Sequence, residues 1–175
     1  MAVLDETGLM LQPLVRRTWG PEGQTPVMYS WDRHDRLSAQ GALTVSPQRR
    51  RLGLYFSAQE GNLRAPDVAT FLRQLYRQLR RPLIVVLDRW APHRTAARQL
   101  WADGGERFWF EWLPAYAPEL NPVDKLWSHT KYGDLANYIP EDLFALEGAF
   151  VDSLFSTCRR PELLRSFFHA AKLRI

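Results

Sequence analysis

Three aspartates stand beside predicted strands and helices in a way that indicates a metal site. Asp5 and Asp88 each close a short apolar stretch predicted to be a strand, and Asp124 lies in the first turn of a predicted helix. If the two strands are adjacent and parallel, both carboxylates emerge at one edge of the sheet, where ligands of open α/β sheets commonly bind. The 35 residues between Asp88 and Asp124 suffice for a helix, a strand and a loop, so Asp124 can return to this edge.

Carboxylates gathered at one edge favour a particular chemistry. They repel one another unless a cation lies between them, and oxygen ligands without histidine or cysteine select a hard ion such as Mg²⁺ or Mn²⁺. Two such ions about 4 Å apart activate a nucleophile and stabilise the leaving oxygen of an in-line displacement at phosphorus. The combination therefore predicts phosphodiester chemistry with two ions per site. Taken singly, each acid also fits a structural role, because aspartate is common in turns and at helix starts.

Hydrophobic patterning predicts the elements that must position these acids. Strands are predicted over residues 2–6, 37–45, 51–57, 83–87 and 108–113, with turns at residues 7–8 and 46–48. Helices are predicted over residues 66–80, 95–102, 122–132, 140–155 and 161–172. The continuous apolar run 83–87 is typical of a strand covered on both faces. Short connections favour an antiparallel meander for the first three strands, and crossovers favour parallel pairing of the later ones.

Four sequence motifs carry a resemblance to a known family. They are LDETG (residues 4–8), RRTWGPEGQTP (16–26), LIVVLDRWAPH (83–93) and LPAYAPELNPVDKLWSHTK (113–131). Together they resemble the catalytic domain of mariner-related bacterial insertion-sequence transposases of the DDE superfamily, over about residues 2 to 135. The last motif is the most specific, because its proline-flanked aromatic residue, its Glu-Leu-Asn-Pro run and its spaced acidic and basic residues are hard to obtain by chance.

That resemblance implies an α/β, ribonuclease H-like fold: a mixed sheet of an antiparallel meander plus parallel strands, flanked by helices. It implies a single catalytic domain over residues 1–175, with a core at 2–135 and C-terminal helices at 140–172. It assigns the family's three metal-binding, catalytic acids to Asp5, Asp88 and Asp124. It further implies metal-dependent hydrolysis at transposon ends followed by strand transfer, in which a 3′ hydroxyl attacks target DNA and the protein supplies metal and geometry.

The chain departs from the family pattern in several places. Arg89 follows the second acid, where the family usually has asparagine, and is expected to crowd the metal or to contact a phosphate. The third acid is glutamate in many close relatives and aspartate in mariner itself, so Asp124 is acceptable with a shorter reach. Only four residues precede Asp5, so the family's N-terminal helix-turn-helix region is expected to be absent or supplied by a separate polypeptide of the same element.

Two alternatives therefore stay open beside a catalytic domain. One is a non-catalytic or domesticated DNA-binding or assembly module derived from a transposase, which Arg89 and the missing recognition region favour. The other is a ribonuclease H-like nuclease of another branch, which would cleave without strand transfer and which the 113–131 motif disfavours. The expected partners are double-stranded DNA, as transposon ends and target, and a second copy of the chain in a homodimer, the latter by analogy only.

Three further polar residues lie close to the acids in the sequence. His93 matches the family's histidine after the second acid and is expected to approach substrate, to fix the active-site loop or to make a helix-start hydrogen bond. Lys131, two turns beyond Asp124, is expected to meet a DNA phosphate or to be a solvated surface lysine. Glu6 is expected on the opposite strand face from Asp5 and therefore ranks below the three aspartates.

Arginine and tryptophan supply the remaining candidate contacts. Five arginines in predicted loops and turns either follow a DNA backbone or are simply solvated: Arg16, Arg17, Arg49, Arg50 and Arg51. Four tryptophans are expected to be core or loop anchors rather than base-stacking platforms: Trp19, Trp90, Trp112 and Trp127.

Composition agrees with a globular, DNA-binding chain without requiring one. The 175 residues include 23 Lys+Arg and 19 Asp+Glu, for a net charge of +4 and a pI of about 9.5. Nearly all of the positive charge is arginine, which suits bidentate phosphate contacts and is also what a GC-rich genome would encode. The one cysteine, Cys158, fits a reducing setting, and no apolar run is long enough to span a membrane. We expect a bacterial cytoplasmic, nucleoid-associated protein with no membrane partner.

Overall fold

The first three strands form an antiparallel meander as predicted, although only the connection between the second and third strands is short. The computed structural model describes residues 1–30, 35–115 and 117–175. Strand β1 spans Ala2–Met10, β2 spans Arg36–Val45 and β3 spans Leu52–Glu60. The β1–β2 register places Asp5 opposite Gly41, and the turn between β2 and β3 falls at residues 46–51 as predicted.

Two parallel strands complete the sheet through helical crossovers. Helix α1 (Ala65–Leu79) leads to β4 (Leu83–Leu87), and α2 (Ala91–Ala102) leads through a short 3-10 helix (Gly105–Arg107) to β5 (Phe108–Trp112). Within the described residues, the five strands have the order β3-β2-β1-β4-β5. Strand β4 pairs in parallel with both β1 and β5, so the strands that carry Asp5 and Asp88 are adjacent.

Helices cover the sheet from both sides and create two apolar cores. On one face α1 and α2 pack against each other and over a buried cluster that includes Leu4, Leu72 and Val85. The other face is covered by α3 (Pro122–His129), α4 (Leu143–Cys158) and α5 (Pro161–Ala170). Their cluster includes Leu43 and Phe150, both fully buried. The sheet is therefore held rigidly between two apolar layers, which fixes the positions of side chains at its strand ends.

The structure corrects several predicted boundaries. Strand β1 does not turn at Thr7 and Gly8 but continues to Met10, because every residue of β1 pairs with β2. Helix α2 begins four residues earlier than predicted, at Ala91, with Pro92 in its first turn. Strand β4 is only partly covered on its second face, since Val86 packs against the α3–α5 cluster while Ile84 is 48% exposed. Within the described parts of the chain, no helix is long and apolar enough to cross a membrane.

Candidate active site

Asp5 and Asp88 meet because β1 and β4 run side by side in the same direction. Val3 pairs with Val86 in the parallel register, so Asp5 and Asp88, two residues further along each strand, are level with one another. One carboxylate oxygen each from Asp5, Glu6 and Asp88 lies within 4.8 Å of the other two. Asp5 lies in the middle of β1 rather than at its end, because the β1–β2 hairpin extends beyond the acidic edge.

Asp124 reaches the same place from the opposite direction. The Asn121 side chain accepts a hydrogen bond of 3.0 Å from the Val123 N–H, which caps α3 and puts Asp124 in its first turn, as predicted. Asp5, Asp88 and Asp124 line one open cavity of about 460 Å³. Asp124 is outside the close group of three acids, and its Oδ2 lies 3.4 Å from Lys125 Nζ. The aromatic residue of the motif, Tyr116, lies outside the described residues.

A glycine on β2 allows α3 to come close to the sheet. Trp127, one turn after Asp124, is buried, and its ring lies directly over Gly41, the residue paired with Asp5. A Cβ atom on Gly41 would come within 2.7 Å of the Trp127 ring. Since this indole must occupy the space of a missing side chain, Gly41 sets the distance between the helix that carries Asp124 and the strand that carries Asp5.

His93 is completely buried and connects two of the acids from behind. Its Nδ1 lies 2.6 Å from Asp88 Oδ1, and its Nε2 lies 3.0 Å from Glu6 Oε2, where the geometry is that of an ion pair rather than a well-aligned hydrogen bond. The expectation that His93 contacts substrate or DNA is therefore wrong, since the imidazole has no exposed surface in this arrangement. It instead fixes the loop after β4, which was the second of its predicted roles.

These surroundings shift the pKa values of Asp5, Asp88 and His93 in different directions. Burial and the nearby charges of Glu6 and Asp88 raise the pKa of Asp5 to about 8. Partial burial also opposes ionisation of Asp88, but hydrogen bonds from His93 and from the Trp90 N–H outweigh it, so the pKa of Asp88 is lowered. Burial lowers the pKa of His93, yet its contacts with Asp88 and Glu6 prevail and raise that pKa to about 9.

This donor set suits a hard divalent cation. Asp5 is a partly buried carboxyl that resists ionisation because burial and its acidic neighbours outweigh the opposing charge of His93, and a divalent cation would add the positive charge that favours the ionised form. The oxygen donors in the cavity come from carboxylates, with neither a free imidazole nor a thiolate among its lining residues. The residues present therefore fit Mg²⁺ or Mn²⁺ better than a softer ion.

Glu6 contributes more to the site than the strand pattern of the sequence predicted. Neighbouring side chains alternate across a strand, and Glu6 does lie on the strand face opposite to Asp5 as predicted, where it contacts His93 of α2. Its carboxylate is nevertheless part of the close acidic group, because β4 ends at Leu87 and leaves the edge open to both strand faces. The adjacent Asp-Glu pair in the sequence was the available signal for this role.

Lys131 is neither free in solvent nor directed at the acids. Helix α3 ends at His129 and a π-helical turn (Thr130–Asp134) carries Lys131 towards the extended part of β1. Its ammonium group donates hydrogen bonds to Thr7 Oγ1 at 3.3 Å and Gly8 O at 3.1 Å. Burial lowers the pKa of Lys131, with the charge of Arg36 acting in the same direction and that of Asp124 opposing it. The lysine therefore ties α3 to β1.

The arginines are distributed over both ends of the sheet. Arg89 is exposed and lines the acidic cavity. A turn after Val45 carries Arg49, Arg50 and Arg51. The Val45 N–H donates to the Met1 carbonyl at the start of β1, whereas Asp88 follows the end of β4, so this turn is at the opposite end of the sheet from Asp88. Arg49 Nη1 also donates to the Arg174 carbonyl.

Residues 16–26, predicted to be a loop, are exposed and lie outside the helices and strands. Arg16 donates from its backbone N–H to Asn137 Oδ1 and from its guanidinium to the Tyr132 carbonyl, while Arg17 is exposed. The prediction that tryptophans are anchors holds for buried Trp127 and is wrong for Trp19, which is 99% exposed. Trp90 is half-buried against His93, with ring centroids 5.2 Å apart.

Strand order, mixed pairing and the acidic edge together define a ribonuclease H-like fold. The family model described as "DDE superfamily endonuclease" matches residues 1–142, and the chain belongs to that family. A comparison with curated proteins found no match.

Solved structures of one transposase share the fold. A Mos1 transposase paired-end complex with left transposon end superposes with a TM-score of 0.68 at 18% identity, covering 97% of this chain and 51% of that one. The Mos1 mariner paired-end complexes with Mn and with Mg superpose with TM-scores of 0.67 and 0.66, each at 17% identity and covering 98% of this chain and 53% of theirs. The chain thus spans about half the length of the Mos1 chains.

Proposed function

We propose that this chain is the catalytic domain of a DNA transposase, which hydrolyses phosphodiester bonds at transposon ends and joins the released 3′ hydroxyl to target DNA. The observation that carries the proposal is the convergence of Asp5, Asp88 and Asp124 on one cavity in a DDE-family fold. The similar structures support it, because their descriptions name a transposase bound to transposon ends and, in two cases, Mg or Mn.

Each acid has a distinct part in this proposal. Asp5 and Asp88 hold metal from the sheet, and Asp124 holds it from α3 across the cavity. Two divalent ions bound there would activate the attacking oxygen and stabilise the leaving oxygen. His93 keeps Asp88 ionised and oriented for ligation, since it donates to one carboxylate oxygen and leaves the other free of this bond. Glu6 is a positioning residue that holds His93 from the far side.

The proposal extends to the substrate and the assembly. The proposed partner is double-stranded DNA, whose phosphates would be met by Arg89 at the cavity and by arginines of the exposed loop. Pairing of two transposon ends requires two active sites, so we propose a homodimer on DNA. End recognition by a helix-turn-helix region, whether in a separate polypeptide or elsewhere, and a cytoplasmic, nucleoid-associated location belong to the same proposal.

One observation favours a second candidate, a non-catalytic DNA-binding or assembly module. The Arg89 side chain lines the acidic cavity, and its positive charge competes with a cation for the same carboxylates. Metal affinity separates the two functions, because a module of this kind would bind DNA without holding Mn²⁺ at the acids.

The test is metal-dependent nicking of a DNA duplex. Wild type is compared with Asp88→Asn and Asp124→Asn, which keep side-chain size and remove the charge, and with Asp152→Asn on α4 as an exposed acid outside the cavity. Nicking is expected with Mg²⁺ or Mn²⁺, not with EDTA, and is expected to be lost in the two cavity variants but not in the control.

Two results would count against the catalytic function. Nicking that survives both cavity substitutions would show that the activity arises elsewhere. A folded wild-type protein that binds DNA but neither binds Mn²⁺ nor nicks would support the assembly module instead.

A further inference from the structure

A second cleft lies next to the acidic cavity, between α2 and the edge strand β5. We call it the α2–β5 cleft; it has a volume of about 510 Å³, and its lining combines aromatic and cationic side chains: Arg94, Ala97, Arg98, Trp101, Phe110 and Trp112. None of the functions proposed above uses this surface. Its composition is nevertheless specific enough to indicate a ligand.

Two indole rings of the α2–β5 cleft are exposed to solvent. Trp101 is 60% exposed and Trp112 is 36% exposed, although tryptophan gains more than any other residue from burial of its large apolar area. Flat aromatic rings left open to solvent are the surfaces on which unpaired nucleobases stack, and such stacking tolerates any base sequence. Trp112, which was expected to be a core or loop anchor, therefore has a ring that is partly open to solvent on β5.

Two arginines supply positive charge beside these rings. Arg94 and Arg98 are four residues apart on α2, so they lie on the same side of the helix, and both are exposed. Across the described parts of the chain, neither guanidinium makes a salt bridge or a hydrogen bond, in contrast to Arg73, which pairs with Asp103 at 2.6 Å. Both groups are therefore available to an anionic ligand such as a phosphate.

The cleft adjoins the acidic cavity along both of its walls. Trp112 of the cleft is followed directly by Leu113, which lines the cavity with the aspartates. On the other wall, the Arg94 N–H donates to the carbonyl of Trp90, and Trp90 also lines the cavity. A DNA strand with its reacting phosphate at the acids would therefore enter the α2–β5 cleft if it continued past Leu113 or Trp90.

The opposite face of β5 does not share this character. Trp109 is also exposed, but its indole N–H donates to Glu111 at 2.7 Å, and the cavity beside it is lined by Glu106 as well as by Trp101, the one ring that this cavity shares with the α2–β5 cleft. Side chains alternate across a strand, so Trp109 and Trp112 lie on opposite faces of β5. The carboxylates on the Trp109 side repel phosphates, whereas the arginines on the Trp112 side attract them.

We propose that the α2–β5 cleft binds unpaired nucleotides of the DNA whose phosphodiester occupies the acidic cavity. Bases stack on Trp101 and Trp112, and phosphates contact Arg94 and Arg98. The inference rests on the proposed function for its choice of DNA as substrate. Within the described residues β5 is an edge strand that would also accept a strand from a second copy of the chain, but the free arginine pair favours a polyanion over a protein strand.

Binding of labelled DNA in EDTA tests the proposal without any cleavage. The probes are a fluorescent oligothymidine of about ten nucleotides and a blunt duplex of the same length, followed by fluorescence anisotropy. Trp112→Ala and the double variant Arg94→Ala/Arg98→Ala are each expected to weaken oligothymidine binding roughly tenfold, while Trp112→Phe retains most of the affinity. Trp109→Ala is the matched control, because it removes an exposed tryptophan from the same strand.

The salt dependence separates stacking from charge. The double arginine variant is expected to flatten the slope of log affinity against log salt by the amount that corresponds to about two lost phosphate contacts, whereas Trp112→Ala leaves the slope unchanged. Unaltered affinity in both variants, or an equal loss in Trp109→Ala, would overturn the proposal. So would variants that bind DNA normally but lose a concentration-dependent dimer of the wild-type protein, since that outcome would assign the cleft to a second copy.

Failure here is distinguishable from failure of the proposed function. If nicking depends on Asp88 and Asp124 but oligothymidine binding does not depend on Trp112, the catalytic function is supported and the proposal for the α2–β5 cleft is disproved. If binding depends on Trp112 but nicking does not depend on the acids, the proposal for the cleft is supported and the catalytic function is disproved.

Discussion

The imidazole of His93 lies 2.6 Å from the Asp88 carboxylate and is completely buried behind it. The contact orients a proposed metal ligand, and partners of this kind typically contribute 10- to 100-fold to metal affinity. We expect His93→Ala to weaken Mn²⁺ binding roughly tenfold or more, and His93→Asn, which can still donate to Asp88, to weaken it less. Mn²⁺ titration followed by electron paramagnetic resonance measures both.

The control for this substitution is His169→Ala, which removes an exposed histidine from α5. A thermal unfolding curve for each variant shows that the protein is folded. If His93→Ala binds Mn²⁺ as well as wild type does, His93 has only a packing role.

The close approach of Trp127 to Gly41 gives a second prediction. Gly41→Ala places a methyl group where the indole lies, so α3 must move away from β2 and carry Asp124 with it. We expect lower stability, by about 1–3 kcal/mol as for other overpacked cores, together with weaker Mn²⁺ binding. Urea unfolding and Mn²⁺ titration give the two values.

Gly148→Ala on α4 is a matched control, because no atom lies within 4 Å of its added Cβ. Alanine is also the better helix former, so this variant should be unchanged or slightly more stable. Normal Mn²⁺ affinity in a stably folded Gly41→Ala protein would disprove the dependence of the site on this spacing.

The raised pKa of Asp5 predicts a stability that falls with pH when no divalent ion is present. The folded protein holds this proton up to about pH 8, whereas the unfolded chain releases it near the ordinary value of 3.8. The unfolded state therefore binds fewer protons between these values, and the free energy of unfolding decreases as pH rises through this window. Asp5→Asn cannot ionise and should abolish this part of the decrease.

His93 adds a decrease at higher pH. Its pKa is raised from 6.5 to about 9, so the stability it contributes is complete below 6.5 and is lost as pH rises through about 9.

Urea unfolding in EDTA at several values between about pH 5 and pH 8 measures the slope for wild type and Asp5→Asn. Equal slopes in the two proteins would show that Asp5 ionises normally.

Arg89 is predicted to limit metal affinity. Arg89 lines the cavity with the three aspartates, and a positive charge near the carboxylates opposes the binding of another cation. Arg89→Ala should therefore bind Mn²⁺ more tightly than wild type while binding DNA more weakly. Arg77→Ala on α1, an exposed arginine outside the cavity, should change neither value. Weaker Mn²⁺ binding in Arg89→Ala would mean that the arginine supports the site instead.

Much of the fold was accessible from local patterns. The run at residues 83–87 predicted β4 to the residue, and alternating apolar residues predicted β2 to within one residue. Asn121 and Pro122 predicted the start of α3, and so placed Asp124 in its first turn. These features succeed because caps and periodicity act over a few neighbouring residues.

Features that depend on partners distant in sequence were predicted poorly. Strand β1 passes through Thr7 and Gly8 because β2 pairs with it across that whole length, and pairing between strands overrides a local turn preference. The burial of His93 and the exposure of Trp19 likewise depend on what packs against each residue.

The sequence by itself determined the three aspartates proposed for the site and the family that the chain resembles, because these follow from residue identity and from spacing along the chain. Only the tertiary structure decided that Glu6 joins the acidic group, that His93 supports Asp88 from behind, and that Arg49–51 lie at the far end of the sheet. The reason is physical: strand register and the seating of α3 on Gly41 bring together atoms whose separation in space cannot be read from their separation in sequence.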